Sequence, residues 1–415
     1  MESSNRYVVV GAGIIGLCTS LELLRSGNRV TLIEQSTPGL GATYGNAGFL
    51  ATELIEPLAN AENIRNAWSL LKDPDGALSV PAKNWRQSVP WMIRFALSAR
   101  QISVEKGRHA LANLLGSAVP AWESLLGRER LSEHLLQTHY LRIWENPKGT
   151  GAAHAEQRFY RDWGIDARFV DSEQVATLEP ALHGRVNHAV LLPHAHRVTD
   201  PYRLSQMLLQ RFVEHAGVLR QEQVLSLRPV TNQVEVRTDV GVHKFDKAIV
   251  CTGAHSAHLL HQLGIKIPLM AERGYHLNLS GIQGLLNGPI CSAERNVFIS
   301  PLQASLRIVG FSELGGLKLP PNPARYKTLR HHLTSLLPQT QPHLGQAGEW
   351  MGMRPTLPDS LPVIDTHPQH PNIGFAFGHQ HAGLTLAAIT GALICDLMNG
   401  ANPRFDLNAY RVTRF

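Results

Sequence analysis

The stretch Arg6-Tyr7-Val8-Val9-Val10-Gly11-Ala12-Gly13-Ile14-Ile15-Gly16 decides the fold, because an apolar strand passes directly into a glycine turn. A helical pattern follows, and a second strand, Arg29-Val30-Thr31-Leu32-Ile33, ends in the acidic residue Glu34. In such a unit Gly11 allows the tight turn, Gly13 lets a pyrophosphate approach the backbone, and Gly16 lets the helix pack on the strand. The helix N-terminus offers N–H groups to phosphates, and the Glu34 carboxylate can accept hydrogen bonds from a ribose diol.

This unit predicts a dinucleotide site; the alternative is an ordinary βαβ unit with a glycine-rich turn. An acidic residue at position 34 argues against the 2′-phosphate of NADP, but it does not separate NAD from FAD. A glycine-rich loop over residues 39–48 is interpreted as backbone wrapped against the ligand, the alternative being a mobile surface loop.

The composition is that of an ordinary globular protein. The 415 residues are 43% hydrophobic, which is enough for large cores in about two or three domains. Four cysteines far apart in the sequence (Cys18, Cys251, Cys291 and Cys395) are typical of reduced residues in a reducing compartment. The net charge of +6 comes without a long basic run, which argues against nucleic acid and suits an anionic substrate or membrane surface. With no secretory signal and no uninterrupted apolar run of about 18 residues, we expect a cytoplasmic protein without a spanning helix.

The order of segments predicts an α/β fold with two kinds of domain. The run Lys247-Ala248-Ile249-Val250-Cys251 is continuously apolar after its lysine and leads into Thr252-Gly253-Ala254, as in a buried parallel strand of a doubly wound sheet. We predict a Rossmann-like domain with a parallel sheet and helices, combined with an α+β substrate domain whose sheet is mainly antiparallel. The cofactor domain is predicted to comprise 1–84, 196–263 and 349–415, and the substrate domain 85–195 and 264–348.

Other segments are predicted from periodicity. Strands are expected at Tyr140–Trp144, Ala189–Leu192, Val224–Leu227, Val234–Thr238 and Lys244–Val250, and helices at Pro201–Ala216 and Tyr326–Leu337. The region from Ile64 to Leu126 has a helical pattern with expected breaks at Pro74, Pro81, Pro90 and Pro120. Within it, the apolar and aromatic stretch Val89–Leu97 is flanked by Lys83, Arg86, Arg94, Arg100 and Lys106. We interpret this stretch as buried core; the alternative is a helix that lies on a membrane or meets a quinone.

A second glycine motif lies near the C-terminus. A strand at Ile373–Phe377 leads into Gly378-His379-Gln380-His381-Ala382-Gly383-Leu384-Thr385, and a helix is expected from Leu384 to Met398, with Gly400 just past its end. A helix N-terminus can stabilise the negative charge that a flavin gains near N1 and the C2 carbonyl when it accepts a hydride. Because a nicotinamide needs no such second site, the motif favours FAD over NAD.

In these motifs the chain resembles the D-amino acid dehydrogenase group within the FAD-dependent D-amino acid oxidase and glycine/sarcosine oxidase superfamily. The matching stretches follow the family's order over nearly the whole chain: Gly11–Gly16 with Glu34, Gly45–Gly48, Cys251–Ala254, Arg273–Tyr275, Met353–Asp359 and Gly378–Thr385. The form His-x-His-x-Gly-Leu-Thr is most similar to the branch that includes D-hydroxyproline dehydrogenases. The chain departs from the family at Gln380, where a glycine is common, and at Asp365, where a glycine usually ends the stretch from Pro362.

The resemblance implies FAD as cofactor. We expect it to be bound non-covalently, because the chain has no cysteine between Cys291 and Cys395, where covalently flavinylated relatives carry one. Tyr44 is expected to flank the ring together with one of the binding residues, Asn46. The expected FAD-binding residues are Gly11, Gly13, Ile14, Ile15, Gly16, Glu34, Gln35, Ala42, Thr43, Asn46, Ala47, Gly48, Val224, Thr252, Gly253, Gly378, His379, Gln380, His381, Ala382, Gly383, Leu384 and Thr385.

Three residues are candidates for the chemistry. Arg354 matches the family's carboxylate-binding arginine, and a guanidinium can hold a carboxylate by two parallel hydrogen bonds. Tyr275 is a candidate hydroxyl donor to substrate, the alternative being a buried strand tyrosine. His381 could contact substrate or flavin, the alternative being a hydrogen-bonded structural histidine. No metal site is expected, because the His-x-His pairs at 194/196 and 379/381 lack cysteine or carboxylate ligands at metal spacing.

The resemblance implies oxidative deamination of a small-molecule D-amino acid, with a D-proline or D-hydroxyproline type among the candidates. Hydride transfer from Cα to flavin N5 would give an imine and then a keto acid, and electrons would pass to a quinone or respiratory carrier. No strong general base is required if the amine enters neutral or loses its proton on binding. The alternatives are a glycine/sarcosine-type oxidase that releases hydrogen peroxide, an NAD-dependent dehydrogenase, and a non-catalytic binding protein. A peripheral contact of Val89–Leu97 with the inner membrane face is the alternative to a purely cytoplasmic location.

Overall fold

The structure, a computed structural model, describes residues 5–73, 76–127 and 133–415. The strands are β1 Arg6–Val10, β2 Arg29–Glu34, β3 Phe49–Leu50, β4 Leu78–Ser79, β5 Leu135–Trp144, β6 Arg168–Asp171, β7 His188–Val198, β8 Val218–Gln221, β9 Val224–Val230, β10 Gln233–Thr238, β11 Val242–Phe245, β12 Lys247–Val250, β13 Met270–Ser280, β14 Ile290–Ser292, β15 Val297–Pro301, β16 Ser305–Glu313, β17 Gly348–Thr356, β18 Val363–Thr366 and β19 Ile373–Phe377. The α-helices are α1 Ile14–Arg25, α2 Ala61–Lys72, α3 Trp85–Ser98, α4 Gln101–Gly116, α5 Ala118–Leu126, α6 Thr150–Asp162, α7 Ser172–Leu178, α8 Pro201–Glu214, α9 Ser256–Gln262, α10 Pro323–Leu336 and α11 Gly383–Asn399.

The first sheet has six strands in the order β18-β19-β12-β1-β2-β8, and all of its pairs are parallel except β18 with β19. The central strand β1 is buried on both faces, as its unbroken run of apolar residues predicts. Tyr7 and Val9 pack with α1 and α11 on one side, whereas Val8 and Val10 pack with the antiparallel sheet β9-β10-β11 on the other. The predicted doubly wound unit and the predicted parallel strand after Lys247 are both confirmed.

The glycine turn between β1 and α1 has the close contacts that the sequence predicts. Gly11 has φ +101°, and a Cβ atom there would lie 2.7 Å from the Cys251 carbonyl oxygen. A Cβ atom on Gly16 would overlap the carbonyl oxygen of Gly11. By contrast, a Cβ on Gly13 would meet no atom within 4 Å. Two of these glycines therefore allow tight packing, and the third leaves open space in front of the helix.

The second sheet has ten strands and is mostly antiparallel. Its main path is β17-β13-β16-β15-β14-β5-β7-β3, with β4 beside β16 and β6 beside β7. Helix α10 packs against the face that carries Tyr275 and Leu277. On the neighbouring edge pair, the register places Glu272 of β13 directly opposite Arg354 of β17. The combination of a parallel sheet with helices and a mainly antiparallel sheet confirms the predicted fold class.

Several local predictions need correction. Pro90 and Pro120 do not break helices, since they lie within α3 and α5. The expected strand Lys244–Val250 is two strands in different sheets, β11 and β12. Strand β7 extends well beyond the predicted Ala189–Leu192, to Val198. Pro74 lies outside the described residues.

The division into domains stays a prediction. Near the predicted boundary at residue 349, β17 is hydrogen-bonded to β13 within the ten-stranded sheet. Arg354 therefore lies on the same sheet as the segment 264–348, although the sequence analysis places it in the cofactor domain. In the described chain, one segment, Gln380–Asn399, is long and apolar enough to cross a membrane, but 72% of its apolar window is buried inside the protein. It contains the core helix α11.

Candidate active site

One large cavity connects the first sheet with the second. Its volume is about 1300 Å³, above the range of about 300–1,000 Å³ typical of pockets for small ligands. Most of the residues predicted from the sequence line it: Gly11, Gly13, Ile14, Ile15, Glu34, Gln35, Ala42, Thr43, Asn46, Ala47, Val224, Thr252, Gly253, Tyr275, Arg354, His379, Gln380, His381, Ala382, Gly383 and Leu384. The structure thus brings together residues separated by nearly the whole chain.

Four predicted residues lie behind the cavity wall. Gly16 packs on Gly11, and Gly48, at φ +72°, lies against the side chain of Leu302. Gly378 has φ +85° and lies against Leu357. The hydroxyl of the fourth, Thr385, accepts a hydrogen bond of 3.0 Å from the backbone N–H of Ala51. These four residues support the wall without lining the cavity, and their contact with FAD stays a prediction.

The end of the cavity beside β1 and β2 has a carboxylate and an uncapped helix. The Glu34 carboxylate accepts hydrogen bonds from the Ala12 backbone N–H at 2.7 Å and from the N–H and hydroxyl of Ser36 at 3.1 Å. Helix α1 has no side-chain cap at Gly13, and the N–H of Ile14 is 3.3 Å from the Thr43 hydroxyl. An uncapped helix N-terminus next to open space is suited to a phosphate group.

The C-terminal motif forms a second uncapped helix N-terminus on the same cavity. Helix α11 begins at Gly383 without a side-chain cap. Gln380, which stands where the family commonly has glycine, has φ +47° in the left-handed region, and its amide donates to the Leu357 carbonyl at 2.9 Å. Nε2 of His379 forms a hydrogen bond of 2.9 Å with the Thr390 hydroxyl, and burial lowers the pKa of His379 to about 3. His379 is therefore a neutral part of the wall.

Arg354 lies across the backbone of Gly274 on the cavity side of the second sheet. Its Nη1 donates to Glu272 Oε1 at 2.9 Å and to the Phe311 carbonyl at 2.8 Å. In the described part of the chain, the other guanidinium nitrogens have no hydrogen-bond partner. A guanidinium held by one nitrogen and otherwise open to a cavity can bind a carboxylate through its remaining N–H groups.

Glu272 was not predicted from the sequence, although it contacts two of the candidate residues. It is buried on β13 and accepts hydrogen bonds from Ser312 at 2.7 Å, Thr356 at 2.8 Å and Arg354. Burial alone would raise the pKa of the Glu272 carboxyl, but His381, Arg354 and the Ser312 hydroxyl together hold it well below its usual range. The signal in the sequence was a single acidic residue just before Arg273-Gly274-Tyr275, and its partner lies 82 residues away.

His381 lies in the turn before α11 and also faces Glu272. Its Nε2 is 3.2 Å from Glu272 Oε1, within ion-pair distance. This nitrogen is buried, yet among the described residues it has no hydrogen bond of good geometry. The predicted contact of His381 with the site is thus present as a contact with a buried carboxylate.

Tyr275 is arranged differently from the prediction. Its side chain is fully buried in the core that packs against α10. The hydroxyl donates to Glu313 Oε1 at 3.0 Å and accepts from the Asn322 N–H at 3.1 Å. Because side chains alternate along a strand, Tyr275 points away from the face that carries Glu272. The structure supports the alternative of a buried strand tyrosine, and a role in substrate binding stays an untested prediction.

A second buried carboxyl on the cavity wall was also missed. Glu53 follows β3, and its Oε2 has no hydrogen-bond partner within the residues that the structure describes. Burial raises the pKa of Glu53 to about 8, so the group is mostly protonated at neutral pH.

Tyr44, predicted to flank the ligand, instead packs against Tyr202, His276 and Trp350. No group of three or more His, Cys, Asp or Glu among the described residues is arranged to hold a metal ion.

The close packing of Arg354 on Gly274 gives a testable prediction. A Cβ at position 274 would overlap the guanidinium, so Gly274→Ala should displace it and raise the KM for a carboxylate substrate by up to about 100-fold. Steady-state kinetics would measure the change. Gly348→Ala on β17 is the matched control, because its Cβ would meet only the Asn278 carbonyl at 3.8 Å. Equal kinetics for the two variants would contradict the placement of Arg354.

Comparison with known proteins places these observations in context. A family model described as "FAD dependent oxidoreductase" (DAO) matches residues 6–397. The chain is 30% identical to a D-amino-acid oxidase of Bradyrhizobium diazoefficiens, with 100% of both chains covered. It is 25% identical to a D-amino acid dehydrogenase of Dechloromonas aromatica, with 96% of this chain and 98% of that protein covered.

Solved structures share the fold. Glycine oxidase from Geobacillus kaustophilus is similar with a TM-score of 0.77 at 20% identity, covering 99% of this chain and 100% of that chain. L-proline dehydrogenase from P. horikoshii has a TM-score of 0.75 at 17% identity, covering 100% of this chain and 98% of that chain. At these identities the likeness establishes the arrangement of the two sheets and leaves the substrate open.

Proposed function

Because the chain belongs to the family of FAD-dependent oxidoreductases, we propose that it oxidises a D-amino acid at the Cα–N bond to an imine. The imine would then hydrolyse to a keto acid and ammonia, or remain cyclic if the substrate is of the proline type. The D-configuration is supported by the names of the relatives, a D-amino-acid oxidase and a D-amino acid dehydrogenase. The family match confirms the resemblance inferred from the motifs and the assignment of FAD as cofactor.

The described residues fit FAD. The open space in front of Gly13, the uncapped N-terminus of α1 and the Glu34 carboxylate suit a pyrophosphate and a ribose. The uncapped N-terminus of α11 suits the end of a flavin ring that becomes negative on reduction. Non-covalent attachment stays a prediction, which acid precipitation would check by release of the flavin into the supernatant.

The observation that carries the proposal is the guanidinium of Arg354. It is fixed by Glu272 and the Phe311 carbonyl, and its remaining N–H groups have no partner within residues 5–73, 76–127 and 133–415. The same cavity also holds the two helix N-termini. Arg354 would bind the substrate carboxylate and set the orientation of Cα, and the surrounding wall would exclude water. When bound, the flavin supplies the oxidant that takes the hydride from Cα.

Anaerobic mixing of the purified holoenzyme with a panel of D- and L-amino acids tests this function. We expect bleaching of the flavin absorbance by one or more D-amino acids, with D-proline and its hydroxylated forms included in the panel. Bleaching by L-amino acids alone, or by none of the panel, would refute the proposal. Stoichiometric hydrogen peroxide in air, at the rate of turnover with glycine or sarcosine, would support the alternative oxidase.

We also propose a membrane-bound electron acceptor, on the evidence of helix α3. Its outer face carries Trp85, Val89, Ile93 and Leu97 at every fourth position, and these side chains are 57%, 44%, 57% and 51% exposed. Its inner side chains Trp91, Met92 and Phe95 line the cavity. The interpretation of this stretch as buried core thus holds for one face only. Exposed basic residues flank the helix: Lys83, Arg86, Arg94 and Arg100.

An apolar face with basic flanks matches a bilayer that contains anionic lipid. A quinone in that bilayer would then lie on the outer side of a helix whose inner side belongs to the cavity wall. The cytoplasmic face of the inner membrane is the corresponding proposed location. An interface with a second copy of the chain is the competing explanation of the exposed stripe.

Ile93→Asp should weaken binding to vesicles of phosphatidylcholine and phosphatidylglycerol by about tenfold or more, because a carboxylate would replace an apolar side chain that we expect to insert into the bilayer. Cosedimentation measures the binding, and activity with a soluble dye as acceptor should be unchanged. Val240→Asp is the control, since Val240 is an apolar residue that is 72% exposed elsewhere on the surface. A change in oligomeric state without a change in vesicle binding would instead favour the interface between copies.

A further inference from the structure

Oxidation of an amino acid requires the loss of a proton from its ammonium group. A protonated nitrogen has no lone pair with which to form the C=N bond as the hydride leaves Cα. Near neutral pH most of an amino acid in solution carries this proton, so the proton must leave the ammonium group before or during oxidation, either to solvent or to a group of the site. The following inference rests on the proposed function and concerns which group of this chain receives it.

We propose that His381, paired with the buried Glu272, accepts the proton of the substrate ammonium. His381 lines the cavity together with Arg354, and both side chains lie against the same carboxylate oxygen, Glu272 Oε1. Its Nε2 is buried against Glu272 Oε1, whereas the side chain is 34% exposed and no hydrogen bond of the described chain involves the other ring nitrogen, Nδ1, which is therefore available to a ligand. If Arg354 holds the carboxylate of an amino acid, the amine of that ligand would lie near Glu272 and His381.

The charges at this site favour the transfer once substrate is bound. Before binding, the negative charge of Glu272 faces both Arg354 at 2.9 Å and His381 Nε2 at 3.2 Å. The substrate carboxylate supplies a second negative charge to Arg354, which leaves Glu272 to stabilise a second positive charge at 3.2 Å. His379, the other titratable group of the turn, is bonded to Thr390 and is neutral, so it does not oppose an imidazolium at His381.

The step is balanced without a further reactant. An N–H bond of the ammonium breaks, its electron pair stays on nitrogen, and the proton forms an N–H bond to Nδ1 of the imidazole, whose Nε2 faces Glu272. The amine lone pair then becomes the second bond of C=N, while the Cα hydrogen leaves with its electron pair to the flavin. The imidazolium later releases its proton to solvent. Glu272 contacts neither the reacting nitrogen nor Cα in this scheme and is a positioning residue.

Stopped-flow reduction of the FAD-loaded enzyme as a function of pH tests the proposal. His381→Asn should lower the limiting rate of flavin reduction by about 100-fold at pH 7, and the loss should shrink to within about threefold at pH 10, where solution has already removed the proton. Glu272→Gln should move the pH dependence in the same direction with a smaller loss. His194→Asn, at a solvent-exposed histidine, is the matched control and should behave as wild type.

A second readout separates a role in proton transfer from a structural role. Benzoate has a carboxylate but no ammonium group, so the His381→Asn enzyme should bind it with unchanged affinity, measured by the shift in the flavin spectrum. A pH profile of His381→Asn parallel to that of wild type would overturn the proposal, as would loss of benzoate binding. If the wild-type flavin is reduced by no amino acid, the proposed function fails instead, and the two failures are distinct.

Discussion

Arg354→Ala should raise the KM for the amino acid by at least about 100-fold while the purified enzyme keeps its FAD. Two charge-assisted hydrogen bonds to a carboxylate contribute about 1.5–3 kcal/mol each, and every 1.4 kcal/mol corresponds to about a tenfold change in affinity. In this variant Ser312 and Thr356 still donate their hydroxyl hydrogen bonds to Glu272. Because the buried Glu272 carboxylate keeps these partners, the fold is expected to persist. Anaerobic titration of flavin reduction measures substrate affinity, and the ratio of flavin to protein absorbance measures FAD content.

Arg354→Lys separates charge from geometry in the same assay. A lysine keeps the positive charge but not the planar pair of donors, so it should recover only part of the lost affinity. Unchanged substrate affinity in Arg354→Ala would show that the carboxylate binds elsewhere. Loss of FAD from this variant would show that Arg354 belongs to the cofactor site.

Gly16→Ala should produce an enzyme that is purified largely without FAD and is less stable. The new Cβ would overlap the Gly11 carbonyl oxygen, and Gly11 cannot move aside because it lies against the Cys251 carbonyl. Helix α1 would have to shift away from β1, which displaces the N–H groups that we expect to bind the pyrophosphate. Overpacking of this kind costs about 1–3 kcal/mol of the free energy of unfolding, which denaturant titration of the FAD-free protein measures.

Two further glycines provide matched controls. Gly13→Ala adds a methyl group to open space, so the stability of the FAD-free protein should be unchanged while FAD affinity falls, since the phosphates need that space. Gly151→Ala, at an exposed position in α6, should lower neither the stability of the FAD-free protein nor its affinity for FAD. Normal FAD affinity of Gly13→Ala would contradict the placement of the pyrophosphate, and full stability of Gly16→Ala would contradict the packing argument.

Local features of the fold could be predicted because their causes are local. The strand, turn and helix around Gly11 follow from hydrophobic pattern and from backbone conformations that glycine adopts easily. The end of α11 at Gly400, which has φ +77°, follows from the same rules. Pro90 was misjudged because tertiary packing of α3, with Trp91 buried, outweighs the single hydrogen bond that the proline removes.

The site could be predicted only in part, because its chemistry depends on strand register. Arg354 was identified by resemblance, but its partner Glu272 becomes visible only when β13 and β17 pair residue by residue. The side of the strand on which Tyr275 lies is fixed in the same way, and the sequence could not distinguish the core from the cavity for it. Helix α3 has two apolar faces, and the rest of the protein covers only one of them. Which face stays exposed is decided by the tertiary fold and could not be predicted from the sequence.

The direct pairing of Glu272 with Arg354 across two hydrogen-bonded strands has a consequence for how this enzyme could be changed. Arg354, which we propose to bind the substrate carboxylate, has its Cα position fixed by the residue-by-residue pairing of β13 with β17. Another part of the cavity wall is contributed by α2, α3 and the segment around Glu53, none of which belongs to β13 or β17. New side-chain preferences should therefore be obtainable by replacing residues on that wall, while the carboxylate clamp and the orientation of Cα stay fixed.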